Sequence, residues 1–171
     1  MGQPLTSAPR WAAVLLLVAC ALVAGFARGA STASLEVSGD THTQLALGAA
    51  DLAALPRAKV SVGDEHRTRV VYEGVPVVEI LQRAGAPLGK ELRGSNMTMC
   101  VVAGGADGYQ AVFALAEFDP GFSDQVILVA DHRDGQPLNS REGPLRLIVP
   151  RDKRPARWVR ALTTLRLRNA R

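Results

Sequence analysis

Nine short runs of β-type residues, interrupted by only two helix-like segments, constrain this chain more than any other feature. The runs are LEVSG from Leu35, TQLAL from Thr43, AKVSV from Ala58, TRVVYEG from Thr68, MTMCVVAG from Met97, YQAVFAL from Tyr109, QVILVAD from Gln125, LRLIVP from Leu145 and LTTLRLR from Leu162. Each is rich in branched or aromatic residues and is bounded by turn formers. The helical segments are short. One, Gly48 to Pro56, stops at a proline; the other, Val75 to Gly85, starts with Pro76 and ends at a glycine. Strands broken by single helices, rather than alternating strictly with them, predict an α+β domain of mixed β-sheets with few short helices.

Turn chemistry fixes some connections. Gly104 to Gly108 joins two strand runs as a hairpin, Asp134-Gly135 follows LVADHR, and Arg141 to Pro144 opens the next strand. No repeat or low-complexity linker divides the chain, so residues 34–171 are expected to form one domain.

The first 33 residues read as an export signal. Arg10 supplies a basic start, an apolar run extends from Trp11 to Phe26, and small residues follow. Cleavage after Ala33 or after Gly29 satisfies the small-residue rule, and the product would be periplasmic or extracellular. A second reading takes Leu17-Val18-Ala19-Cys20 as a lipoprotein box, with Cys20 lipidated and the domain tethered to a membrane. A retained anchor fits less well, because the run is shorter than the ~20 residues a spanning helix needs. Arg10 has no arginine neighbour, so the signal lacks the twin-arginine pattern used to export proteins already folded around a cofactor. Beyond Cys20 the chain has only Cys100, which leaves no disulfide within residues 34–171.

Charge is unevenly spread. Residues 34–140 hold 8 Lys and Arg against 14 Asp and Glu, whereas residues 141–171 hold 10 against 2. A nearly balanced exported chain argues against general nucleic-acid binding and for one local anion-facing surface. The densest basic stretch is RDKRPARWVR, Arg151 to Arg160. It is either a solvated turn before an edge strand or the rim of an anion site, with Arg154 and Arg157 flanking a proline and adjoining Trp158. His42, His66 and His132 show no metal-ligand spacing. Cys100 alternates with apolar residues as a small buried hydrophobe would. Asp107 reads as a turn residue or as a pocket partner for an arginine. Nucleophile-elbow and Walker patterns are absent from the sequence.

Taken in order, DLAALP, YEGVPVVEILQRAG, ADGYQAVFALAEFDP and the long segment from VILVADHRDG to LTTLRLR resemble the molybdopterin-binding domain of the sulfite oxidase family. The most specific pieces are Gly74-Val75 at the helix start, the Asp107-Gly108-Tyr109 hairpin, and a strand leading to the basic-Trp pair Arg157-Trp158. This resemblance implies a mixed α+β fold with a pocket for a pterin cofactor, whose phosphate is gripped by basic residues around the final basic-Trp segment. Carried onto this chain, it marks Asp107, Tyr109, Arg146, Arg151, Lys153, Arg154 and Arg157 as cofactor-facing. The family's metal is held by a cysteine on the strand before the Gly-Val helix start. Here that segment, Ala58 to Gly74, contains no cysteine, and Asp64, Glu65 or His66 would be a hard substitute for a soft ligand.

Three expectations follow. The first is an exported binding or accessory module without molybdenum, whose basic rim takes a small phosphate or carboxylate ligand or an acidic protein surface. The second is a molybdopterin-dependent oxidoreductase that passes electrons to a separate partner, since the sequence carries no haem or iron–sulfur motif. The third is a structural subunit docked to a membrane protein, favoured if Cys20 carries lipid.

Overall fold

The computed structural model describes residues 34–63 and 69–170. The segment expected to be an export signal, Cys20, and the Asp64, Glu65 and His66 candidates lie outside the described residues. Those described belong to one compact unit, Thr32–Arg171.

Among the described residues ten strands form two sheets, each of five strands. The first sheet contains β1 (Ser34–Gly39), β2 (Leu45–Gly48), β5 (Met99–Gly105), β6 (Gln110–Ala114) and β10 (Leu162–Asn169), in the order β2-β1-β10-β5-β6. The second contains β3 (Ala58–Gly63), β4 (Arg69–Pro76), β7 (Leu128–Arg133), β8 (Gln136–Pro137) and β9 (Arg146–Ile148). Its order is β3-β4-β7, with β8 and β9 both pairing with β7. Among the described residues, two short helices, α1 (Ala49–Ala53) and α2 (Val77–Arg83), complete the mixed α+β fold expected from the strand runs.

Local chemistry accounts for these boundaries. The Asp51 carboxylate accepts a hydrogen bond from the Gly48 N–H at 2.9 Å and so starts α1. Asp134 and Gly135 both have positive φ, 50° and 77°, which is the turn a two-residue hairpin requires, and they add the two-residue β8 that the sequence runs do not reveal. The fifth run starts later than expected, because Met97 and Thr98 complete a 3-10 turn, Gly94–Thr98, before β5.

Alternation sets the core. Leu35 and Val37 of β1, Val101 and Ala103 of β5, and Leu165 and Leu167 of β10 are buried, while Glu36, Arg168 and Val112 of β6 face outward. A large cluster fills the first sheet against α2 and the turns. A smaller one, Val62, Val70, Tyr72, Leu128, Ala130 and Ile148, belongs to the second sheet. Trp158 packs against both clusters, so the basic stretch around it lies at the seam between them.

Candidate functional site

The end of β3 (Val62, Gly63), the facing residues of β4 (Val70, Tyr72), Arg133 at the end of β7, and Arg146 at the start of β9 converge on the segment 152–160. Together they enclose a cavity of about 440 Å³. Tyr72 and Trp158 form its aromatic wall, meeting edge to face with ring centres 6.0 Å apart. The Trp158 Nε1–H donates to the Val149 carbonyl at 3.0 Å, which fixes the plane of the indole.

Arg146 is inserted between these rings, only 6% exposed. Its guanidinium lies 5.8 Å from the centre of the Tyr72 ring and 5.4 Å from that of Trp158. Nη1 donates to Glu142 Oε1 at 2.5 Å and to the Tyr72 hydroxyl at 3.2 Å, so the buried charge is paired. Glu142 also accepts from Arg133 at 3.3 Å. Two buried atoms of cavity-lining residues, Arg146 Nε and Glu142 Oε2, have no hydrogen-bond partner among the described residues. Burial raises the Tyr72 pKa against the opposing effect of Arg146, which keeps its phenol protonated at neutral pH.

Arg133, Arg146, Lys153 and Arg160 line the cavity against two carboxylates, Glu142 and Asp152. Glu142 is held by Arg133 and Arg146, and Asp152 accepts two hydrogen bonds from Arg157, at 2.9 and 2.7 Å. Among the described residues neither Lys153 nor Arg160 has an acidic side chain within ion-pair distance. The cavity is therefore a local positive sink. By contrast, a cavity of about 400 Å³ beside the start of α2 is walled mainly by apolar residues and its charged groups are Glu79 and Asp124, which would repel an anion.

The residues singled out in the sequence divide into three groups. Arg146 and Lys153 line the cavity. Asp107 and Tyr109 line an adjoining cleft of about 240 Å³ that shares Pro155, Trp158 and Arg160 with it. Arg151, Arg154 and Arg157 line neither. Arg151 is exposed, 3.9 Å from Asp124, and Arg154 is exposed just ahead of the 3-10 turn Pro155–Arg157. Arg157 points toward the first sheet. Its Nε and Nη2 donate to Asp152, its Nη1 donates to both Glu117 oxygens at 3.2 and 3.0 Å, and its guanidinium stacks 4.6 Å from the Phe113 ring centre. Hydrogen bonds that Arg157 donates to Asp152, then to Glu117, raise its pKa despite partial burial, which keeps it a fixed cation.

Sequence reasoning missed Tyr72, Arg133, Glu142 and Arg160 as cavity residues. Arg160 was visible as the last member of the basic stretch. Arg133 and Glu142 sit in turn-like sequences whose spatial neighbours are set by β7 and β9. Among the described residues no group of three or more His, Cys, Asp and Glu is placed to hold a metal ion. Cys100 lies on β5 of the first sheet, opposite Arg168 and Ala114, and does not line the cavity.

Comparison with known proteins agrees with this architecture. A family model described as "Oxidoreductase molybdopterin binding domain" matches residues 25–171. Among solved structures, a chain of the sulfane dehydrogenase SoxCD from Paracoccus pantotrophus superimposes with a TM-score of 0.61 at 19% identity, a likeness of fold. That match covers 78% of this chain and 37% of the other, so the chain spans well under half the length of that relative. A search of curated proteins found no match.

Proposed function

The chain belongs to the oxidoreductase molybdopterin binding domain family, and from that premise we propose that it binds a small phosphate-bearing anion in the cavity beside Trp158. On this reading it works as an exported binding or accessory module without molybdenum. The observation that carries the reading is the imbalance of the lining: four cationic side chains face two carboxylates, and both carboxylates are already neutralised by arginines. Arg146 provides a fixed charge between aromatic faces, while Lys153 and Arg160 supply donors at the mouth that can close on an oxyanion. The protonated Tyr72 hydroxyl adds a neutral donor at the floor.

The phosphate end of a pterin cofactor fits this donor set. Its metal end does not. The family's soft ligand has no counterpart in Ala58 to Gly74, and Cys100 lies on the other sheet. Support for export comes from Arg10, the apolar run that follows it and the small residues near Ala33, with lipidation at Cys20 as the membrane-tethered variant.

The family match itself favours a second reading, a molybdopterin-dependent oxidoreductase that passes electrons to a separate partner. Ligand content separates the two. Protein purified from its native exported fraction should release a phosphate-bearing compound on denaturation, without stoichiometric molybdenum. Molybdenum and pterin each at one per chain would replace the first reading with the second, and release of no anion would remove the support for a ligand site.

A further inference from the structure

The cavity does not end at Trp158. Pro155, Trp158 and Arg160 form a shared wall, and on its other side lies the cleft closed by Asp107 and Tyr109. Two features of that cleft differ from the basic cavity. Tyr109 is 50% exposed, yet its hydroxyl donates to the Ala156 carbonyl at 2.6 Å, so the ring is a pinned platform that gives up little freedom when something stacks on it. Asp107 is held in its turn by the Tyr109 N–H at 2.9 Å and brings an acceptor-only carboxylate to the wall. A phosphate is unwelcome beside that carboxylate; an N–H donor on a planar ring is suited to it.

We infer that the Asp107–Tyr109 cleft is a base subsite, so that the ligand class of the whole site is a nucleotide. The inference rests on the anion reading of the main cavity and gives the ligand a direction. Phosphates lie toward Arg146, Lys153 and Arg160, the linking sugar passes Trp158 and Pro155, and the heterocycle stacks on Tyr109 with an amino or ring N–H donated to Asp107. Arg160 lines both spaces and sits where phosphate and nucleoside join. Base–aromatic stacking of this kind tolerates different bases, whereas the carboxylate prefers those with N–H groups on the exposed edge.

Calorimetric titration of the intact mature chain with pyrophosphate and with adenosine diphosphate tests this. Adenosine diphosphate is expected to bind about tenfold more tightly than pyrophosphate, the increment a stacked base contributes. Tyr109→Leu and Asp107→Asn are each expected to erase most of that difference while still binding pyrophosphate, which also reports that the variants fold. Equal affinities for the two probes in the unaltered chain would overturn the base subsite alone. Failure of both to bind would overturn the anion site and this inference with it.

Discussion

Arg146 and Arg157 carry the same side chain to different ends. Arg146 is buried between Tyr72 and Trp158 with Glu142 as its partner, whereas Arg157 is partly exposed, braces the basic stretch internally through Asp152, and ties it to the first sheet through the Phe113 ring of β6 and Glu117 just past that strand. Removing one member of a buried pair leaves the other charge unpaired, so Arg146→Ala should lower unfolding stability by about 3 kcal/mol. Arg157 is more than one-third exposed and solvent screening weakens its bridges, so Arg157→Ala should cost about 1–2 kcal/mol. Urea denaturation midpoints check the order, and a larger loss for Arg157→Ala would contradict it. Basic residues near Trp158 were legible as a cluster, but the individual roles were not. The Glu117 that engages Arg157 lies 40 residues away, and a contact of that range leaves no local pattern. Asp107 was legible as a turn residue because its carboxylate bonds a backbone N–H two residues on.

The β4–β7 pairing shows how an element depends on one small residue and one ion-pair cluster. A Cβ on Gly74 would lie 2.0 Å from the Val129 carbonyl oxygen, so this glycine, inside β4 and not at the helix start as the motif suggested, lets β7 approach at a bulge. Gly74→Ala is expected to destabilise the domain by about 2–3 kcal/mol, measured by denaturation, because backbone must move to admit the methyl group. On the same sheet Arg57 bridges Glu73 of β4 and Asp131 of β7, the latter through two hydrogen bonds of 3.0 and 2.6 Å. Burial would raise the Asp131 pKa, but hydrogen bonds and charge from Arg57 and His132 outweigh it and hold the carboxyl low. Glu73 is held low by Lys59 first and by Arg57 next. A depressed carboxyl stabilises the fold above its unfolded-state pKa and loses that contribution as pH falls through the folded value. The thermal midpoint should therefore fall as pH drops below about 4, the ordinary carboxyl value. Asp131→Asn should lower the midpoint at neutral pH and flatten part of the acid limb, and an unaltered limb would contradict the assignment. Strand runs and turn residues made most elements readable. β8 was not, because two residues carry no alternation, and the start of β5 was misjudged because apolar Met97 continues a strand pattern through a 3-10 turn.

At the scale of the whole molecule, the site exists because the chain changes sheets. After β9 pairs with β7 in the second sheet, residues 149–161 cross to β10, which inserts between β1 and β5 of the first. The basic stretch is that crossover, and Trp158 anchors it to both cores. Strand order of this kind is set by long-range pairing, including the parallel β1–β10 contact between the two ends of the domain, and alternation along single strands does not encode it. The order of motifs conveyed it through family resemblance, while the cavity between the second sheet and the crossover emerged only with the fold. The proposed oxyanion site at this seam depends on Lys153 and Arg160. Calorimetric titration of the purified protein with pyrophosphate, beside the Lys153→Ala/Arg160→Ala double variant, tests that dependence. Saturable one-to-one binding is expected, weakening about tenfold or more in the variant and also as salt rises; absence of binding, or equal affinity in the two proteins, would rule the site out.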